Sequence, residues 1–169
     1  MLADNMKGLF AGIFSLLVIV IFVSCQRSTN DSPIDVQAVK AEISTLEDLL
    51  GAAITNRDLE GALAYYAEDA QSMPQSQPTL VGKDAIRRSL SGMMSDTSGT
   101  KEVMTVVDVW AAGDLAVEVG TFKVLSKNDE VIETGKYMSL FEKRDGKYVC
   151  VRDIYNTDDD PYRTTESEE

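Results

Sequence analysis

The hydrophobic period of this chain changes once, and that single change limits the folds open to it. As far as Met94 the apolar residues recur at spacings of three and four, whereas from Val103 they sit in β-branched and aromatic segments. Val36, Val39, Ile43, Leu46, Leu49, Leu50, Ala53 and Ile54 give a first helix one buried face. Asp35 near its start suits the positive end of the helix dipole. Asn56-Arg57-Asp58 breaks the pattern, and Asp58 can cap a second helix bearing Leu59, Ala62, Leu63 and Tyr66. Ala70 to Leu80, with Pro74 and Pro78, reads as loop. A third helix starts at Gly82-Lys83-Asp84 and gathers Ile86, Leu90, Met93 and Met94; Ser95 to Thr100 is a loop. Beyond it, Val103–Trp110, Leu115–Leu125, Val131–Lys143 and Lys147–Asn156 have strand composition. Ala112-Gly113-Asp114, Lys127-Asn128-Asp129 and Arg144-Asp145-Gly146 supply the turns between them. Helices first and antiparallel strands afterwards predict an α+β fold with the helices packed on one sheet.

Composition narrows the chemistry. The 169 residues, 44% of them hydrophobic, suit one ordinary domain with short appendages. A formal net charge of −12 argues against nucleic acid or an anionic membrane surface as the main partner. No His is present, which excludes every Ser–His or Cys–His pair and every imidazole metal ligand. Acid–base work falls to Asp, Glu, Tyr, Lys or Cys150. Cys150 lies within Tyr148-Val149-Cys150-Val151 and reads as a small buried hydrophobe, with Arg152 as weak support for a thiolate. No metal or other cofactor is expected.

Strand alternation selects the candidate site residues. Ala116, Glu118, Gly120 and Phe122 share one face; Val149, Val151, Asp153 and Tyr155 share another, opposite Arg152 and Asn156. Asp153 is an acid among apolar neighbours, and desolvation would raise its pKa toward that of a general base. The competing structural reading pairs it with Arg152, Lys123 or a backbone donor. Glu118, Tyr66 and Tyr137 are further polar candidates, while Glu68 and Asp69 suit loop backbone N–H groups. Met73, Met93, Met94, Met104 and Met138 are core filler or the wall of a plastic pocket. Trp110 packs, stacks on a ligand, or covers a subunit interface.

The ends have their own character. Gly8 to Val23 is an uncharged apolar run after Lys7, of the length of a signal-peptide core. Phe22-Val23-Ser24-Cys25 then resembles the bacterial lipoprotein signal. That resemblance implies cleavage before Cys25 and its acylation (a palmitate-type anchor) in the cell envelope, with the domain facing away from the cytoplasm. Two or three acyl chains anchor stably. An uncleaved anchor helix is the alternative, and it leaves the domain on the same side. The expected organisation is a signal peptide over 1–24, the lipidated Cys25 and a polar tether over 25–33, the domain over 34–157, and an acidic tail over 158–169. A calcium site at Asp158, Asp159 and Asp160 lacks the alternate-residue spacing of a calcium loop.

Four blocks in order carry a wider resemblance: AAITNRDLEGALAYYAEDA (52–70), LVGKDAIRRSL (80–90), GDLAVEVGTFKV (113–124) and KRDGKYVCVRDIYN (143–156). Together they resemble the nuclear transport factor two-like superfamily. Within it they are most similar to the SnoaL-like and ketosteroid-isomerase-like domains and to the branch known as domain of unknown function 4440. The resemblance implies a cone, in which a curved antiparallel sheet wraps about three N-terminal helices and leaves a pocket at its open end. It also implies a homodimer formed through the outer face of the sheet. The isomerase's catalytic positions fall on Leu50, Pro74 and about Met138, none of which carries a proton at neutral pH. The expected function is therefore binding of a small apolar ligand or a partner without catalysis. Tyr66, Met73, Trp110, Phe122, Tyr137 and Asp153 are its expected pocket residues. An isomerase, cyclase or dehydratase using Asp153 or Glu118 is the first alternative, and a dimerisation or interaction module the second.

Overall fold

A computed structural model describes residues 33–95 and 98–159. The readings of residues 1–24 and of Cys25, and of the tail beyond Asp159, lie outside them. Among the described residues no helix is long and apolar enough to cross a membrane.

The first helix, α1 (Val36–Asn56), is capped by Asp35, whose carboxylate accepts from the Gln37 and Ala38 backbone N–H groups. Its buried stripe is Val39, Ile43, Glu47, Leu50, Gly51 and Ala53. Leu49, expected inside, is exposed. Arg57, in the left-handed conformation, ends α1. Asp58 caps α2 (Leu59–Ala64) by accepting from Gly61 N–H, as its spacing predicted.

Here the structure departs from the sequence reading. Tyr66 does not extend the α2 stripe: it opens β1 (Tyr66–Pro74), so most of the expected loop is strand. The buried alternation of Ala70, Ser72 and Pro74 is made of small, polar and cyclic residues, so no hydrophobic period marks it. The short β2 (Leu80–Val81) pairs with β1, and α3 (Lys83–Met93) follows. Four long strands complete the chain: β3 (Lys101–Ala112), β4 (Leu115–Leu125), β5 (Val131–Arg144) and β6 (Lys147–Thr157). The β5–β6 turn has positive φ at both Asp145 and Gly146, the conformation that favours Asp-Gly in a two-residue hairpin.

The six strands form one curved, unclosed sheet in the order β2-β1-β6-β5-β4-β3. Every pairing is antiparallel except that of β1 with β6, which is parallel. The fold class is as expected, α+β, but the sheet is mixed. Curvature has local causes. Register shifts interrupt β3 between Val106 and Asp108 and the β5–β6 pair between Leu140 and Phe141. On the inner face, Gly120 lies under the Tyr137 ring and Gly135 under the Phe122 ring, where a Cβ would collide. The helix α1 packs along β3: Thr55 Oγ1 accepts from Glu102 N–H at 3.0 Å, and Lys40 donates to the Val107 carbonyl at 2.7 Å.

Candidate functional site

The inner face is a grid fixed by strand register. Glu118 stands beside Ser139, which stands beside Asp153, which stands beside Ser72, across β4, β5, β6 and β1. One row along, Gly120, Tyr137 and Tyr155 are cross-strand neighbours. The helix α1 covers this grid and contributes Glu47, the residue after α2 contributes Tyr65, and the start of β1 contributes Tyr66. Between them lies a cavity of about 170 Å³. Its walls include Leu50, Ile54, Met104, Phe122, Tyr137 and Asp153.

Three carboxyl groups are buried here without a cation. Glu47 is 1% exposed, Glu118 0% and Asp153 7%. The Tyr65 hydroxyl donates to Glu47 Oε1 and the Tyr137 hydroxyl donates to Glu118 Oε1, the latter at 2.7 Å. The Tyr66 hydroxyl reaches Asp153 Oδ2 at 3.3 Å. Glu47 Oε2, Glu118 Oε2 and Asp153 Oδ1 have no hydrogen-bond partner. Neither Lys nor Arg lines the cavity.

Burial dominates the proton chemistry. It pushes Glu47 up to about 9, with the neighbouring charge of Glu118 adding to the effect. Burial also raises Glu118, partly offset by the Tyr137 hydrogen bond. One proton held between these adjoining carboxyls relieves both of their otherwise unpaired oxygens. Asp153 is pushed up to about 6 by burial, against hydrogen bonds from Ser72 and Tyr66. Toward the mouth, burial and the charge of Glu133 push Glu102 up to about 7. Near neutral pH the chamber thus holds acids in both protonation states.

Tyr66, Phe122, Tyr137 and Asp153 line the cavity. Glu118 faces inward but stands behind the wall, joined to it through Tyr137. Two expected pocket residues do not belong to it. Met73 pairs with the outward Ile154, because its strand phase is opposite to that of the buried Ser72. Trp110 is 55% exposed on the outer face of β3. Asp153 pairs with neither Arg152 nor Lys123; the Arg152 guanidinium donates instead to the Val151 carbonyl at 2.5 Å. Glu68 and Asp69 do not serve loop N–H groups: they form ion pairs with Lys83 and Arg144. Asp158 accepts from Thr134 and Lys136, so the first residue of the expected tail is held on β5. Cys150 is fully buried and burial raises its thiol, as a structural residue requires.

The principal residue missed was Glu47. Its signal was positional: it lies four residues after Ile43 and three before Leu50, inside the apolar stripe. Of the isomerase positions, Leu50 lines the cavity and Pro74 is buried, while Met138 points outward between the inward Tyr137 and Ser139.

The chain is thus an α+β domain whose curved, helix-covered sheet holds an acidic inner cavity. Residues 46–151 match the SnoaL-like domain, and the chain belongs to that family. No curated protein matches the chain. Solved structures share the fold. A protein of unknown function with a cystatin-like fold from Nostoc punctiforme is 19% identical with a TM-score of 0.65, over 73% of this chain and 92% of that one. An NTF2-like protein with a cystatin-like fold from Novosphingobium aromaticivorans is 18% identical with a TM-score of 0.63, over 71% and 82%. A ketosteroid isomerase-like protein from Erwinia carotovora is 18% identical with a TM-score of 0.57, over 71% and 96%.

Proposed function

We propose that this domain binds a small, largely apolar molecule in the chamber between α1 and the sheet. One observation carries the reading: a cavity walled by Leu50, Met104 and Phe122 that also presents an unpartnered oxygen of Asp153. A buried polar atom left without a partner costs about 1–3 kcal/mol, so a ligand that satisfies it is favoured. Native mass spectrometry of the full chain purified from its own cells tests this. A bound small molecule, released on denaturation, is the expected result; a chain that carries none, and takes up none from a cell extract, sinks the reading.

The membrane anchor belongs to the same proposal. Acylated Cys25 would hold the chamber at the envelope surface, facing away from the cytoplasm. Palmitate labelling is expected to vanish in Cys25→Ser, and labelling that persists refutes the anchor. The outer face of the sheet, with Trp110, Met138 and Ile154 exposed, is proposed to pair with a second copy.

One observation favours a second reading, proton transfer. Glu47 holds its proton near neutral pH while Asp153 is largely ionised, and both face one chamber. Deuterium entering the position beside the carbonyl of phenylacetone, lost in Asp153→Asn, is the expected sign. No exchange above buffer rejects it for that ketone.

A further inference from the structure

The charged groups that line the chamber are all of one sign. Its carboxyls come from Glu47, Asp153, Glu102 and Glu133, with Glu118 behind them. The Tyr65, Tyr66 and Tyr137 hydroxyls already donate to Glu47, Asp153 and Glu118. Asp153 Oδ1 is left over as an acceptor on a side chain more than nine-tenths buried, and the equally buried Glu47–Glu118 pair becomes a second acceptor once its shared proton leaves. Among the described residues no group of three or more acids and cysteines is arranged to hold a metal ion. An anionic ligand would be repelled by these acids.

We infer that the ligand of this chamber carries a protonated amine on a small apolar body, with its ammonium group seated between Asp153 and Glu47. The inference rests on the ligand-chamber reading and names the ligand's chemistry. An ammonium has three donors and no acceptor, the complement of the orphan oxygens. Aromatic faces are a second attraction, since Phe122 and Tyr137 form part of the wall and a cation is drawn to a ring face. Size follows from the cavity. About 170 Å³ is on the order of the 150 Å³ that accepts one benzene ring in an engineered apolar cavity. A one-ring aralkylamine is the matching class. Glu47, Asp153, Glu102 and Glu133 face the chamber that holds the ammonium, Glu118 stands behind Tyr137, and no competing Lys or Arg is on the wall. The ammonium's arrival favours ionisation of Glu47, so binding releases a proton to the buffer.

The methionines give site-specific reporters. Met93 and Met104 line the chamber, whereas Met138 is on the outer face and Met73 sits beside the outward Ile154. The full chain carrying ¹³C-methyl Met is titrated with toluene, benzyl alcohol and benzylamine at neutral pH. All three are expected to shift Met104 but not Met138. Benzylamine should bind at least about tenfold tighter than benzyl alcohol. That advantage should collapse in Asp153→Asn and shrink in Glu47→Gln, with toluene binding retained as proof of an intact chamber. Calorimetry in buffers of different ionisation enthalpy should show proton release with the amine alone. If toluene shifts Met104 and benzylamine binds no tighter than the alcohol, the amine inference falls and the chamber reading stands. An advantage unchanged in both variants also overturns it, because general attraction to a chain of net charge −12 would then explain it. If no probe moves Met104, both readings fall together.

Discussion

Glu47 shows most clearly how one side chain joins stability to chemistry. Its pKa stands near 9 in the folded chain against an ordinary 4.5, so the folded state keeps a proton that the unfolded chain gives up. The stability this group contributes is complete below pH 4.5 and is lost as pH climbs toward 9. Glu118, Asp153 and Glu102 are raised as well and act in the same direction. Stability to urea is therefore expected to fall from pH 5 to pH 8. Glu47→Gln, which cannot ionise, should flatten that slope and gain on the order of a few kcal/mol relative to the parent at pH 8. An unchanged slope would mean that the Glu47 proton is not held. Asp153 stood out in the sequence as an acid among apolar neighbours, but the alternation from Val149 does not hold: the register shift between Leu140 and Phe141 brings Cys150 and Asp153, three residues apart, to the inner face. Glu47 was hidden because a helix stripe is recognised by its apolar members, and one acid within it looks like a solvent-facing neighbour. Trp110 and Met73 were misplaced for the converse reason. Large apolar side chains suggest a pocket, yet nearly as many face outward on a sheet awaiting cover.

At the level of elements, the hairpins were the most legible part. Their turns carry local chemistry, such as Asp145-Gly146, that no distant contact can override. The strand β1 was the least legible. Its pairing with β6 is a long-range event, and its own residues give no β-branched run. The glycine–aromatic pairs of β4 and β5 were partly visible as a shared face but not as a packing rule. They make a definite prediction. Gly135→Ala would place a methyl group against the Phe122 ring and the Asn156 carbonyl, and a backbone carbonyl cannot turn aside. A loss of about 1–3 kcal/mol in chemical denaturation is expected. Gly120→Ala meets the Tyr137 side chain first, and that ring can move. It should cost less stability but break the Tyr137–Glu118 hydrogen bond, read as a shift in the pH dependence described above. Equal losses from the two substitutions would contradict this account.

For the whole molecule, class and architecture followed from the order of periods, and four short blocks led to the family. The outer sheet face makes a prediction on this scale. If a second copy covers Trp110, Met138 and Ile154, then Met138→Glu with Ile154→Glu should convert a dimer into a monomer in analytical ultracentrifugation. A parent chain already monomeric at the same concentration would remove the pairing. The family pattern starts within α1 and stops within β6, so it spans the sheet but not the caps at either end. The parallel seam between β1 and β6 has a consequence for how such a chain matures. Its two sides are far apart along the polypeptide, β6 being the last strand among the described residues. Until β6 pairs, β1 and β5 both keep an open edge, and closing that gap incurs the entropy of a long loop. The parallel seam is therefore expected to be the slow closing step of refolding, while the local hairpins of β3 to β6 form early.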